Sequence, residues 1–298
     1  MRRLFVTAAL FAAMLAPASA SAQGSSDIFL VTLNTAGGTI AVDSVIRVTN
    51  RNGYDNQPSF LRDGRTLLYT TIDAAGQADI RRHTLGTRGT SALIVTAPES
   101  EYSATQMPTG DRFSVIRVER DSTQRLWSFR LDGTDPRIVL EDVKPVGYHA
   151  WVDANRVVVF VLGSPATLQL VDLRGGSPVM IARDVGRALQ PVPGRDAVSF
   201  VRRDSAGTRW IEIYDVATRT VEQLVRPFAE NEYHTWLPNG TLTTARGSRL
   251  YQFNPATDTD WVAAADLASH GITNASRLAV SADGMWLAVV AAHAAADR

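Results

Sequence analysis

Asp55-Asn56-Gln57-Pro58-Ser59-Phe60-Leu61-Arg62-Asp63-Gly64-Arg65-Thr66-Leu67-Leu68-Tyr69-Thr70-Thr71 is the stretch whose reading decides the fold. It is a short strand, an Asp-Gly turn and a second, more apolar strand. Gly accepts the positive φ that tight turns between strands demand. Leu, Tyr and Thr favour the pleated surface of a sheet. Equivalent turns return at Thr109-Gly110, Ala154-Asn155, Pro193-Gly194, Asn239-Gly240 and Asp283-Gly284, at spacings of 46, 45, 39, 46 and 44 residues. A period of this size marks stacked units, none of which can bury its apolar face alone.

Working outward from each turn, the strands after it are expected at Thr66–Thr71, Arg112–Val118, Arg156–Leu162, Ala197–Arg202, Thr241–Ala245 and Met285–Val290. Val157 to Leu162 is apolar without a break, which suits a strand covered on both faces. Third strands are expected at Ile80–Leu85, Leu126–Leu131, Leu168–Leu173, Ile211–Val216 and Leu250–Pro255. Fourth strands are expected at Ala92–Thr96, Arg137–Leu140, Pro178–Ala182, Val221–Val225 and Trp261–Ala265. The sixth unit offers only Leu278–Ser281 and Met285–Ala291, while Asp27–Asn34 and Ser44–Thr49 stand unclaimed at the other end. The expectation is an all-β six-bladed β-propeller with four antiparallel strands per blade, its ring closed by N-terminal strands completing the last blade.

Met1–Ala22 has the form of a secretory signal: Arg2 and Arg3, an apolar run from Leu4 to Leu15, and Ala20-Ser21-Ala22 as a cleavage site. The domain reading is therefore a signal peptide over 1–22 and one propeller over 23–298, in the periplasm or secreted. No later apolar run is long enough to span a membrane. The chain has 298 residues and no cysteine, which excludes disulfides, thiolate metal sites and a lipid-bearing cysteine. Thirty basic and 30 acidic residues balance, so the strongly basic face of a nucleic-acid binder is not expected. The tail from Ala291 is expected to fray, and His83, His270 and His293 are expected at the surface.

The stretch from Asp55 to Thr71, with Ala78-Asp79-Ile80 after it, closely resembles the TolB-type propeller repeat. Weaker copies are His234-Thr235-Trp236-Leu237-Pro238-Asn239-Gly240 and Ala279-Val280-Ser281-Ala282-Asp283-Gly284. The resemblance covers essentially all of the mature chain and implies a periplasmic location within an envelope complex. TolB itself carries an α/β domain before its propeller, which this chain lacks. The same repeat type precedes α/β-hydrolase domains in some serine peptidases and occurs in certain carbohydrate-active lyases. A Gly-x-Ser-x-Gly elbow, the mark of the former, is absent, as are phosphate-loop and dinucleotide patterns. Asp132, Asp172 and Asp215 read as turn caps.

In a propeller, the residues just before the innermost strands ring the mouth of the central channel. Aligned on the turns they are Asp55-Asn56-Gln57, Glu101-Tyr102-Ser103, Gly147-Tyr148-His149, Gly186-Arg187-Ala188, Glu232-Tyr233-His234 and Ser276-Arg277. Asp55, Asn56, Gln57, Glu101, Tyr102, Tyr148, His149, Arg187, Glu232, Tyr233, His234 and Arg277 are thus the candidate ligand- or partner-binding residues. A funnel of Tyr, His, Arg and Glu suits a peptide or glycan. The first expectation is a non-catalytic module, without cofactor or metal and monomeric, binding an envelope protein or peptidoglycan-associated partner. The alternative is a metal-assisted lyase or hydrolase on a sugar or lactone, with His149, His234 and Glu232 as ligands or acid–base groups. A third is a scaffold acting through blade edges. Each histidine could equally hydrogen-bond a neighbouring blade, with Trp151 and Trp236 in the packing position of Phe60.

Overall fold

The computed structural model describes residues 24–35 and 37–292. The expected signal peptide over 1–22 and His293 lie outside them. Two strands, β1 (Ser26–Asn34) and β2 (Ala41–Arg47), precede the first complete unit. That unit is β3 (Tyr54–Phe60), β4 (Thr66–Ile72), β5 (Ala78–Thr84) and β6 (Ser91–Ile94). The second is β7 (Ser100–Gln106), β8 (Arg112–Val118), β9 (Gln124–Arg130) and β10 (Arg137–Leu140). The third is β11 (Val146–Trp151), β12 (Arg156–Val161), β13 (Thr167–Asp172) and β14 (Val179–Arg183). The fourth is β15 (Val185–Pro191), β16 (Ala197–Arg203), β17 (Arg209–Asp215) and β18 (Thr220–Val225). The fifth is β19 (His234–Trp236), β20 (Leu242–Arg246), β21 (Arg249–Phe253) and β22 (Val262–Asp266), before β23 (Ala275–Val280) and β24 (Trp286–Ala292).

Units two to five are four-stranded antiparallel sheets. The remaining strands share one sheet made of two runs, β23-β24-β1-β2 and β3-β4-β5-β6, which meet at the parallel pair Ser26↔Tyr54. β1 lies between the chain's last strand and β2, with Phe29 facing Val289 on one side and Arg47 on the other. Ile28, Leu30 and Val31 are consequently almost inaccessible to solvent. In β12, Val157, Val158 and Val159 are wholly buried, as a strand covered on both faces should be.

The apolar faces pack from one unit to the next. Leu61, Leu68 and Ile80 of the first unit meet Phe113 and Phe129 of the second. Ile116 and Leu126 meet Trp151, Val157 and Val159 of the third. Phe160 meets Phe200 and Tyr214 of the fourth, and Ile211 and Ile213 meet Trp236 and Leu242 of the fifth. Ala245 and Leu250 then pack on Val31 and Val289, while Ile28 and Val290 pack on Leu67 and Tyr69 of the first unit. Each face removed from water contributes roughly 25 cal/mol per Å2 of apolar area.

Several expectations shift. Third strands start about two residues early, at Ala78, Gln124 and Arg209, because ladder pairing extends into polar residues such as Asp79 and Arg125. Ala291, where fraying was expected, is buried and paired with both Asp27 and Ala275. His83 is buried, with Nδ1 bonded to the Gly89 carbonyl oxygen at 2.9 Å, whereas His270 is exposed as expected. Asp132, Asp172 and Asp215 each accept from backbone N–H groups two or three residues on.

Deleting residues 24–49 strips β24 of its outer partner and uncovers a long apolar edge. The truncated chain should aggregate on size-exclusion chromatography. A cooperatively melting monomer would contradict this packing.

Candidate functional site

The innermost strands carry the candidate residues because most of them are bulged at one level. Register breaks fall at Asn56/Ser59, Tyr102/Thr105, Val146/Tyr148, Val185/Leu189 and Ala275/Leu278. A bulge interrupts the ladder, twists the strand and re-aims a side chain. Gln57 and Ser103 occupy left-handed backbone, with φ of 56° and 54°. Such conformations cost free energy in non-glycine residues and concentrate at functional positions.

The result is a ring of equivalent positions. Gln57, Ser103, Tyr148, Arg187, Tyr233 and Arg277 line one chamber of about 100 Å3. Each precedes its turn by the same interval, as Gln57 precedes Asp63 and Arg277 precedes Asp283. One position further on, Pro58, Ala104, His149, Ala188, His234 and Leu278 form the chamber wall. On one side the chamber shares Gln57, Tyr148 and Arg187 with a cavity of about 660 Å3. On the other it shares Pro58, His149, Leu189 and Leu278 with one of about 410 Å3.

Arg277 is the centre of the chamber. Its Nη2 donates to Tyr148 Oη at 3.0 Å and to Tyr233 Oη at 2.8 Å. Its guanidinium carbon lies 4.2 Å from the Tyr233 ring centroid and 5.1 Å from that of Tyr148, an arrangement that stabilises a cation. Burial works against its charge, but Tyr148, Tyr233 and Tyr54 outweigh it and hold the pKa above the usual arginine value. Burial pushes Tyr54 up to about 12, with Arg277 pulling the other way, and raises Tyr233 as well. Both phenols therefore keep their protons at neutral pH. Gln57 Nε2 donates to Tyr54 Oη at 3.3 Å, while its Oε1 accepts from Ser103 N and Thr70 Oγ1.

The histidines are engaged elsewhere. His149 Nε2 and Ser114 Oγ share a hydrogen bond of 2.7 Å, and Trp151 Nε1 donates to the same oxygen at 2.9 Å. His234 and Trp236 hold Ser199 in the same way, at 2.9 Å each. In both cases the serine lies on the preceding unit, 35 residues before the histidine. These are latches between units, repeated two units apart. His149 and His234 are buried, and burial pushes their pKa values down to about 3 and about 4. Among the described residues no three His, Asp or Glu side chains converge as metal ligands would.

The other candidates are set apart from the chamber. Asp55 is buried in an ion pair with Arg51 and accepts from Thr71 Oγ1, and its carbonyl takes Ser26 Oγ. Asn56 Oδ1 accepts from Gln57 N at 2.7 Å. Glu101 is buried against Arg117 and Thr96, with burial pushing its pKa up to about 7. Glu232 pairs with Arg209 at 2.8 Å and accepts from Arg187 N. A Cβ at Gly186 would lie 2.5 Å from its Oε2, so a larger residue there would displace the Glu232 carboxylate. Tyr102 and Glu232 line the 660 Å3 cavity. The sequence reading missed Tyr54, which stands outside the repeat register of Tyr148 and Tyr233. It also missed Ser114 and Ser199, although their spacing to His149 and His234 is a usable signal.

The neutral burial of His149 makes stability depend on pH. The unfolded imidazole takes a proton near pH 6.5 and the folded one only near 3, so stability is lost as pH falls below 6.5. Glu101 has the opposite sign, with a folded pKa raised to about 7. Comparing the native chain with His149→Gln isolates the histidine. The variant should be less stable at pH 7 by about 1–3 kcal/mol. The gap should narrow by up to about 3 kcal/mol toward pH 4 in urea unfolding. A gap independent of pH would contradict the latch.

No family model and no curated protein sequence matches the chain. Solved structures do. A putative TolB from Agrobacterium tumefaciens superposes with a TM-score of 0.68 at 13% identity, over 91% of this chain and 99% of that one. An oligogalacturonate lyase in complex with manganese gives 0.58 at 15% identity, over 90% and 86%. A gluconolactonase from Xanthomonas campestris gives 0.61 at 9% identity, over 88% and 94%. Among the described residues no helix is long and apolar enough to cross a membrane. The repeated four-stranded sheets and these likenesses together make the chain a β-propeller of the TolB-like fold.

Proposed function

We propose that this chain is an exported, non-catalytic binding module of the cell envelope: a monomeric six-bladed propeller over residues 23–298. In this reading β23, β24, β1 and β2 form the sixth blade and close the ring, and Met1–Ala22 directs export to the periplasm. The partner is a protein or a peptidoglycan-associated molecule that enters the larger cavity and reaches the chamber beneath it. The observation that carries the reading is the ring at one repeat position, where Gln57, Ser103, Tyr148, Arg187, Tyr233 and Arg277 converge on one space. Adaptable polar groups with aromatic and arginine anchors suit recognition. The catalytic groups proposed for chemistry, His149 and His234, are spent on Ser114 and Ser199.

A second reading, metal-assisted chemistry on a sugar acid or lactone, draws on the likeness to the lyase with manganese and to the gluconolactonase. It requires His149 and His234 to leave their serines.

Two experiments separate these. A photo-reactive residue at Arg187, in cells of the native host, should give a discrete adduct, and one at Val179 on the exposed strand β14 should not. Adducts of equal yield at both positions would contradict a partner at the mouth. Titration of the mature protein with Mn2+ should show no stoichiometric site. An ion bound by the native chain and lost in His149→Ala/His234→Ala would bring the enzymatic reading forward.

A further inference from the structure

The chamber holds hydrogen-bond donors that have nothing to donate to. Tyr148 Oη and Tyr233 Oη accept from Arg277, and Tyr54 Oη accepts from Gln57. An oxygen that accepts in this way leaves its own O–H free, and among the described residues none of these three hydroxyls donates to an acceptor. Arg277 uses only Nη2, so Nε and Nη1 are uncommitted. Gln57 Oε1, a side-chain acceptor in the chamber lining, is filled by Ser103 N, Ser103 Oγ and Thr70 Oγ1. Arg187 brings a second guanidinium without a side-chain partner among the described residues, and lines the chamber too. Among the described residues no carboxylate lines the chamber, and Glu232 in the adjoining cavity is already paired with Arg209.

Arg187 is exposed, but Arg277 is half-buried, and such an arginine normally finds an acidic partner because a desolvated cation is costly to leave unpaired. Among the described residues that partner is missing, and the two tyrosine hydroxyls that accept from Arg277 each keep a proton to donate. We propose that the chamber is a carboxylate-binding site, with Arg277 as the anionic group's main partner and the tyrosine hydroxyls completing its hydrogen bonds. A carboxylate is acceptor-only and singly charged, and can take a charge-assisted hydrogen bond from Nη1 or Nε of Arg277, whose Nη2 is occupied by the two tyrosines. The chamber of about 100 Å3 has room for that group.

The body of the ligand then occupies the adjoining cavity of about 660 Å3, within the usual range for small-ligand sites. Ile116, Phe160, Leu162 and Val185 line it along with Tyr102. Gly147 brings the chain close to Phe160 and Leu162, since a Cβ there would meet both at 3.0–3.1 Å. Gln124, Arg187 and Glu232 line the cavity as well, so the body that fits has an apolar or aromatic side and polar groups on the other. Two sources carry this chemistry: a free organic acid, and the C-terminal residue of a peptide. The inference rests on the binding reading above and specifies its ligand.

The test pairs each acid with its uncharged amide on the intact mature protein by isothermal titration calorimetry. The probes are 3-phenylpropionate with 3-phenylpropionamide, and N-acetyl-Gly-Gly-Phe with its C-terminal amide. At least one acid should bind at least about tenfold more tightly than its amide. A preference confined to the first pair assigns a free acid, and one confined to the second assigns a peptide end. Arg277→Gln should abolish the preference, Arg277→Lys should retain part of it, and Tyr148→Phe/Tyr233→Phe should weaken it by about tenfold. Acids that bind no better than their amides would overturn the proposal, and this comparison needs no variant to fold. An adduct at Arg187 together with equal acid and amide binding would retire the carboxylate assignment alone.

Discussion

The structure depends on the antiparallel pairing of β1 with β24, which joins residues 26–32 to residues 286–292. Without it β24 would present an unpaired apolar edge. With it, the inner apolar residues of β1 are buried from both faces, by the fifth unit on one side and the first on the other. The pairing is non-local in the extreme, so its loop-closure entropy must be met by the packing of all the units between. That packing is supplied face to face by one short sheet against the next.

Position within the repeat separates binding chemistry from scaffolding chemistry. Adjacent residues on each innermost strand point to different faces, and the bulges exploit this. The position that faces the chamber holds Gln57, Ser103, Tyr148, Arg187, Tyr233 and Arg277, all polar. The next position holds Pro58, Ala104, Ala188 and Leu278, and at two units a histidine. His149 and His234 therefore belong with the packing residues. Each reaches a serine of the preceding unit together with a tryptophan of its own strand. An imidazole buried in this way stays neutral, which suits a latch and not a proton carrier.

Much of the architecture was legible because turn chemistry and strand composition repeat together. Asp63-Gly64 and Asp283-Gly284 mark the turns, and the intervals between them set the units. The ring at the chamber was also legible, since aligning the turns brings its six members to one column. The contact of Tyr54 with Gln57 was not, because Tyr54 stands outside the repeat register. The partnerships of His149 and His234 were not legible either, because hydrogen bonds across units depend on how far one sheet is rotated against its neighbour. Glu101 and Glu232 read as funnel residues, but each has an arginine partner, Arg117 or Arg209, that only the fold brings near. Strand ends drifted by one or two residues, as ladder pairing does not stop at the last apolar side chain.

The central claim is that Arg277 is clamped through Nη2 by Tyr148 and Tyr233, with Nε and Nη1 unpartnered among the described residues. Nitrogen-15 NMR of the arginine side chains in the mature protein tests it most directly. The account predicts that the Arg277 guanidinium gives resolved Nη signals in slow rotation, and that these merge in the Tyr148→Phe/Tyr233→Phe variant. Rotationally averaged Nη signals for Arg277 in the native chain would contradict it.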